Sequence, residues 1–236
     1  MTTALSILSE LHKRLRYVLV FFVSLFVVCF FCSDFIFHWY MLPLQHLLQA
    51  PQHLVATQIT SPVIIPLSMA GQLALLGTAP VGLWQIWSLV SPALYRQERR
   101  ALAWIVIVSM GLFGLGCLAC YGFILPGMFR CMLNALPKEV LLLPDIYSVT
   151  RFSTHMLILF GLSFQIPLIC FLLLRMHIVQ IEQCSAFRPY VIVTAFTLGM
   201  LLTPPDVIAQ ILLALPLWGL YEIGILVARV LNKAIR

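Results

Sequence analysis

Several side chains in this chain have types and spacings that elsewhere do chemistry. Cys29 and Cys32, and again Cys117 and Cys120, stand in Cys-x-x-Cys spacing, the arrangement of dithiol redox centres and of half a zinc site. His38, His46 and His53 recur at intervals of eight and seven. Glu10 and Glu98 are carboxylates set among cations, with His12, Lys13 and Arg14 near one and Arg96, Arg99 and Arg100 beside the other. Gln165 and Gln210 place amides inside long apolar stretches.

Most of these patterns do not survive their context. Both cysteine pairs lie in apolar runs long enough to be membrane helices, with no second ligand pair nearby in sequence. They read as small packing residues. Seven cysteines, an odd number with five in apolar runs, do not make a disulfide framework. The histidine spacing matches no metal-ligand pattern, so solvated loop residues are expected and neither a metal nor a cofactor is implied. No Ser/His/Asp ordering, HExxH or glycine-rich phosphate loop is present, and nothing points to an enzyme. For the two carboxylates the residues alone leave two readings open. Glu10 at i,i+4 from Arg14 forms a helix pair worth about 0.2–0.5 kcal/mol, and Glu98 favours a helix N-terminus through its dipole. Alternatively, each receives a cation from a ligand.

The elements that position these groups must be membrane helices. Of 236 residues, 62% are hydrophobic and 9% charged, against about 25% charged in soluble domains. The mean hydropathy is +1.03. That composition supplies roughly five to seven spans, and no polar stretch is long enough for an aqueous domain. The net charge of +6 in such a chain marks cytoplasmic loops rather than a nucleic-acid groove.

Residues 1–16 read as a cytoplasmic amphipathic helix, with Leu5, Leu8, Leu11 and Leu15 on one side. No cleavage site follows it. Spans are expected at about 17–37, 63–90, 101–129, 152–174, 190–202 and 207–227, with a kink at Pro80. The last two come from one apolar stretch, Tyr190 to Tyr221, interrupted only by Thr203-Pro204-Pro205-Asp206. As one helix it would be about 48 Å long against a core of about 30 Å. Two prolines stop it, giving two short helices of about 20–25 Å each and a locally thinned bilayer. Asp206 is placed to cap the last helix, and Glu222 to reach Arg229 or another cation.

Six spans put both termini on one side. Loops on that side carry Lys13, Arg14, Arg16, Arg96, Arg99, Arg100, Arg175, Arg188, Arg229, Lys233 and Arg236; the opposite loops carry Arg130, Lys138 and Arg151. The asymmetry places both termini in the cytoplasm. The expected fold is an all-α integral membrane protein with six transmembrane helices in a single membrane domain, residues 1–236.

Four stretches then carry a specific resemblance. They are Leu8-Ser-Glu-Leu-His-Lys-Arg-Leu15, Ser91-Pro-Ala-Leu-Tyr-Arg-Gln-Glu-Arg-Arg100, Phe187-Arg-Pro-Tyr190, and Met200-Leu-Leu-Thr-Pro-Pro-Asp-Val207 with Leu220-Tyr-Glu-Ile223. In this order they resemble the TatC family, the multispanning subunit of the twin-arginine protein translocase, over essentially the whole chain. The resemblance implies a receptor for twin-arginine signal peptides that exports folded cargo on the proton-motive force. It also implies small single-span partners of the TatA/TatB type, an oligomeric complex, the bacterial inner membrane, no cofactor and no nucleic acid.

By the same resemblance Glu10 and Glu98 receive the two signal-peptide arginines, while Arg14, Arg99 and Arg100 either anchor the chain at the membrane surface or shape the docking surface. Gln165 and Gln210 are intramembrane polar groups facing a cavity or partner helices. Pro204, Pro205 and Asp206 form the structural turn. The chain departs from the family in having Gln165 for a frequent glutamate, His12 for a frequent arginine and Ser68 for a frequent lysine. The rival class, a small-solute secondary transporter, would need buried ligands and paired broken helices.

Overall fold

The computed structural model describes residues 2–32, 61–94, 99–134, 145–175, 179–202 and 207–235. Apart from a single bridged residue at Asp145, all regular structure among them is helical. The helices are α1 (Thr2–Phe31), α2 (Ser61–Leu94), α3 (Arg99–Ala119), α4 (Leu125–Asn134), α5 (Ile146–Ser163), α6 (Ile166–Arg175), α7 (Ile181–Ala186), α8 (Arg188–Leu202) and α9 (Val207–Ile235). Among the described residues five stretches are long and apolar enough to cross a bilayer: Leu11–Phe31, Val63–Ser88, Ala103–Cys131, Ile146–Leu174 and Val207–Val227. The shorter apolar stretch Arg188–Leu201 belongs to α8.

The departures from expectation have local causes. The N-terminal residues and the first apolar stretch form one continuous helix, Thr2–Phe31, of which Leu11–Phe31 is long and apolar enough to cross a bilayer. The third expected span contains a π turn, Cys120–Ile124, closed by the Leu125 N–H onto the Cys120 carbonyl. Pro126 follows after one residue, Leu125; its ring would strike the carbonyl of Gly122 in a regular helix, and the wider turn makes room. The fourth span is broken at Phe164-Gln165. There the Gln165 N–H reaches the Leu162 carbonyl at 3.0 Å, and Pro167 has no N–H to continue the ladder.

The expectation of two short final helices holds for one of them. α8 has 15 residues, about 22 Å. α9 has 29 residues and passes through Pro216. Its apolar stretch of 21 residues is about 32 Å long, enough to cross. The helix continues past Glu222 because that charge is neutralised: Glu222 Oε1 lies 2.8 Å from Arg188 Nε, and Arg188 Nη2 donates to Oε2 at 2.9 Å. Of the cations left open for Glu222, Arg229 or another, the partner is Arg188. α2 runs through Pro80 to Leu94. His38, His46 and His53 and the turn residues Pro204, Pro205 and Asp206 lie outside the described residues.

The chain divides into two compact units, residues 1–110 with 143–154, and residues 111–142 with 155–236. In the first, α1 packs on α2. Lipid tails are as apolar as leucine, so close packing rather than the hydrophobic effect drives this contact. α2 therefore presents small residues: Ala70 and Ala74 are buried, and a Cβ on Gly77 would fall 2.6 Å from Leu25 Cδ2. Phe22, Phe26 and Phe30 stack one turn apart along α1, with ring centroids 6.4 Å apart at each step. Asp145 caps α5, accepting bonds from the Ser148 N–H at 3.2 Å and hydroxyl at 3.1 Å.

In the second unit α9 packs against α4, α6, α7 and α8. Met128, Met156, Phe160, Leu213 and Ile225 are fully buried. α3 and α5 approach through glycines. A Cβ on Gly116 would meet the Phe160 carbonyl oxygen at 2.8 Å and Gly161 Cα at 3.0 Å, and one on Gly161 would meet the Phe113 ring at 2.6 Å. Cysteines serve as filler here: Cys120 and Cys170 are buried, and the Cys117 thiol donates to the Leu157 carbonyl at 3.6 Å. All seven cysteines are free.

Candidate functional site

Glu10 lies on α1, four residues before Arg14. α1 and α2 run antiparallel, since Leu25 lies against Gly77 while the Arg14 guanidinium donates from Nη1 to the Gln85 carbonyl at 3.1 Å. At 1.5 Å per residue that register puts the backbone of Glu10 level with about Leu89. Five residues further on, at Leu94, α2 ends and the chain enters the segment that contains Glu98. α3 leaves that segment at Arg99. The two helices flanking it are pinned together: the Trp87 indole N–H donates to the buried Ser109 hydroxyl at 2.9 Å. Trp87 and Ser109 each stand eleven positions from Glu98.

Two cross-links between helices, Arg14 to Gln85 and Trp87 to Ser109, therefore gather the start of α1, the end of α2 and the start of α3 at one end of the first unit. The helix of Glu10 and the termini flanking Glu98 meet there. Glu98 itself and the side chains of Glu10, Arg99 and Arg100 lie outside the described part of the structure. Arg14 is half-buried and committed to a backbone carbonyl, so it braces this end; His12 and Lys13 are exposed beside it. Trp87→Phe removes the indole donor while keeping an aromatic ring. It is expected to cost about 1 kcal/mol, read as a fall of about 2–4 °C in the unfolding midpoint of the detergent-solubilised protein.

The two amides sit differently. Gln165 is 2% exposed at the break between α5 and α6, so its side chain is turned into the protein. Its carbonyl accepts from the Ile169 N–H at 2.9 Å and starts α6. Gln210 is half-buried on α9, and its Nε2 donates to the Phe196 carbonyl on α8 at 2.9 Å. Gly199 gives it room, since a Cβ there would lie 3.1 Å from Gln210 Cγ. Gln210 thus clasps α9 to α8.

Three contacts at the α7 end of the second unit escape sequence reading. The Tyr221 hydroxyl donates to the Cys184 carbonyl at 2.7 Å, Arg188 pairs with Glu222, and Arg229 Nη2 donates to the Ser185 hydroxyl at 3.0 Å. Burial pushes the Cys184 thiol above its ordinary pKa, which makes it a poor nucleophile. Arg188 and Glu222 are 34 residues apart. The one available signal was that each is the nearest charge on its own apolar helix. Among the described residues no group of three or more His, Cys, Asp or Glu converges on a common point.

Helical crossings of this number and length define a multi-pass membrane protein, with polar groups used to pin helices rather than to react. Residues 6–216 match the family described as Sec-independent protein translocase protein (TatC). The Sec-independent protein translocase protein TatC of Escherichia coli (strain K12) is 36% identical over 222 residues, covering 94% of this chain and 86% of that protein. Its counterpart in Aquifex aeolicus (strain VF5) is 30% identical over 235 residues, covering 96% of each. The crystal structure of a twin arginine translocase receptor, TatC, superposes with a TM-score of 0.86 at 30% identity, covering 95% of this chain and 98% of that one. The chain belongs to the TatC family, and its work is protein transport.

Proposed function

We propose that the chain is the twin-arginine signal-peptide receptor and core subunit of a translocase that exports folded proteins on the proton-motive force. In this reading Glu10 and Glu98 hold the two arginines. A carboxylate accepts a planar guanidinium through two parallel N–H bonds, each charge-assisted bond being worth about 1.5–3 kcal/mol. Lysine has no such fork, which accounts for a requirement for arginine. The observation that carries the reading is the convergence of the α1 start with the α2 and α3 ends flanking Glu98, within a chain of this family. Arg14, Arg99 and Arg100 brace and border the surface.

The same reading gives six crossings in one membrane domain of the bacterial inner membrane, with α8 as the short fifth and both termini cytoplasmic. Small single-span subunits of the TatA/TatB type complete an oligomeric complex, with Gln210 near the edge they contact and Gln165 acting from inside the bundle. Asp206 caps α9 after Pro204 and Pro205. Deleting the gene is expected to abolish export of a folded reporter carrying a twin-arginine signal and to leave solute uptake intact. Normal export of that reporter would overturn the proposal.

A further inference from the structure

The second unit carries an open groove of about 470 Å³ between α6, α8 and α9, within the roughly 300–1,000 Å³ range of sites that take small ligands. Ile169, Leu173, Val191, Leu198 and Leu217 give it apolar walls. Three of its four side-chain hydroxyls, all but that of Tyr190, are already spent within the protein. Ser163 donates to the Leu159 carbonyl at 2.7 Å, Thr194 to the Tyr190 carbonyl at 2.8 Å and Tyr221 to the Cys184 carbonyl at 2.7 Å. With those three committed, the groove offers an occupant mostly hydrocarbon contact. From Phe187 to Leu198 along α8 it extends about 16 Å.

A cation is held beside one part of the groove wall. Cys184 lines it, and the adjacent Ser185 hydroxyl accepts a bond from Arg229. The neighbouring cation, Arg188, is neutralised by Glu222. Arg229 is exposed and pairs with no carboxylate among the described residues. Phe187 and Tyr190 are exposed on the groove wall, with ring centroids 5.9 Å apart, and aromatics of this kind mark a membrane–water boundary. A hydrocarbon slot at that boundary, with an exposed guanidinium and a serine hydroxyl beside the Cys184 position on its wall, is complementary to one amphiphile: a phospholipid with an anionic headgroup.

We propose that this groove holds one acyl chain of an anionic phospholipid, whose phosphate is received by Arg229 and Ser185. The guanidinium has donors beyond the one given to Ser185, in the planar geometry that phosphate oxygens accept. Bound there, the lipid fills the space between α6, α8 and α9 and ties α7 to the bilayer surface.

The test is native mass spectrometry of the full chain released from nanodiscs of phosphatidylglycerol or of phosphatidylcholine. The wild-type chain is expected to retain one phosphatidylglycerol and little phosphatidylcholine. Arg229→Gln is expected to lower the preference for phosphatidylglycerol about tenfold, the factor for one charge-assisted bond. Thr194→Trp fills the groove from an exposed position and is expected to abolish retention of both lipids. Helical circular dichroism and a monodisperse elution profile establish that each variant is folded; should Thr194→Trp misfold, Leu198→Trp repeats the block from the same wall. Equal retention of the two lipids, or retention unaffected by a folded groove-filling variant, would overturn the proposal. So would crosslinking of position 198 to a single-span subunit with no lipid retained, which would make the groove a helix-docking site instead.

Discussion

Glu98→Gln is expected to weaken capture of a twin-arginine signal peptide by about ten- to a hundredfold, with the fold of the chain unchanged. The amide keeps the shape of the carboxylate but loses its charge, and it turns one acceptor into a donor that faces the guanidinium N–H groups. The lost charge-assisted bonding of about 1.5–3 kcal/mol sets that range. Glu10→Gln should show a similar loss. In the double variant the losses need not add, because two arginines on one peptide are coupled through it. The discrimination between peptides is the sharper readout. Wild type should prefer an Arg-Arg over a Lys-Lys peptide, and the double variant should bind both weakly and alike. Binding should also weaken with added salt, since the site lies at an aqueous boundary. A change below twofold for both single variants would assign the carboxylates to helix pairing and dipole effects instead.

Gly116→Val is expected to be among the most destabilising substitutions in the chain. The new Cβ would sit 2.8 Å from the Phe160 carbonyl oxygen and 3.0 Å from Gly161 Cα. Both are backbone atoms and cannot rotate away, so α3 and α5 must separate. Overpacking of this kind costs about 1–3 kcal/mol, and at a glycine crossing in a membrane the lost close contact adds to it. Gly114 on the same helix provides the control, because a Cβ there meets nothing within 4 Å. Gly114→Ala should be neutral or stabilising by up to about 1 kcal/mol through helix propensity. Thermal unfolding in detergent would separate the two. Equal midpoints for Gly116→Val and Gly114→Ala would show that the α3–α5 crossing does not depend on glycine.

Much of the fold was legible because a bilayer allows few solutions. Apolar runs must be helices, their length is bounded by the hydrocarbon core, and two adjacent prolines end a helix. The expected limits at 202 and 207 agree with the observed end of α8 and start of α9. The hidden features depend on neighbours that hydropathy does not register. The π turn before Pro126 and the break before Pro167 are local responses to a missing N–H, and the run of hydropathy passes straight through both. The double proline fixes where the last helix starts, and its expected span of 207–227 coincides with the apolar stretch Val207–Val227, but hydropathy does not show that the helix itself runs on to Ile235. The partner of Glu222, Arg188, is on another helix, and neutralising the pair lets α9 continue.

The candidate site divides along the same line. The role proposed for Glu10 and Glu98 rests on resemblance, as their local residues equally suit a helix pair and a dipole contact. The bonds that bring their helices together span 71 and 22 residues, and no periodicity announces them. Gln210 looked like a group awaiting a partner, yet its amide N–H is already used on the Phe196 carbonyl. Gln165 is buried in the protein, so whatever it contributes in place of an acidic residue acts from within the bundle.

The most direct test of the receptor reading is photocrosslinking from positions 10 and 98, each replaced singly by a photoreactive residue, to a signal peptide in native membranes. Position 118 serves as control, because Leu118 is exposed on an apolar face of α3. Both test positions are expected to label the peptide beside its arginine pair and to lose that labelling when the pair becomes Lys-Lys, while position 118 labels nothing on the peptide. Absence of peptide labelling from both 10 and 98, in a chain that still supports export, would contradict it.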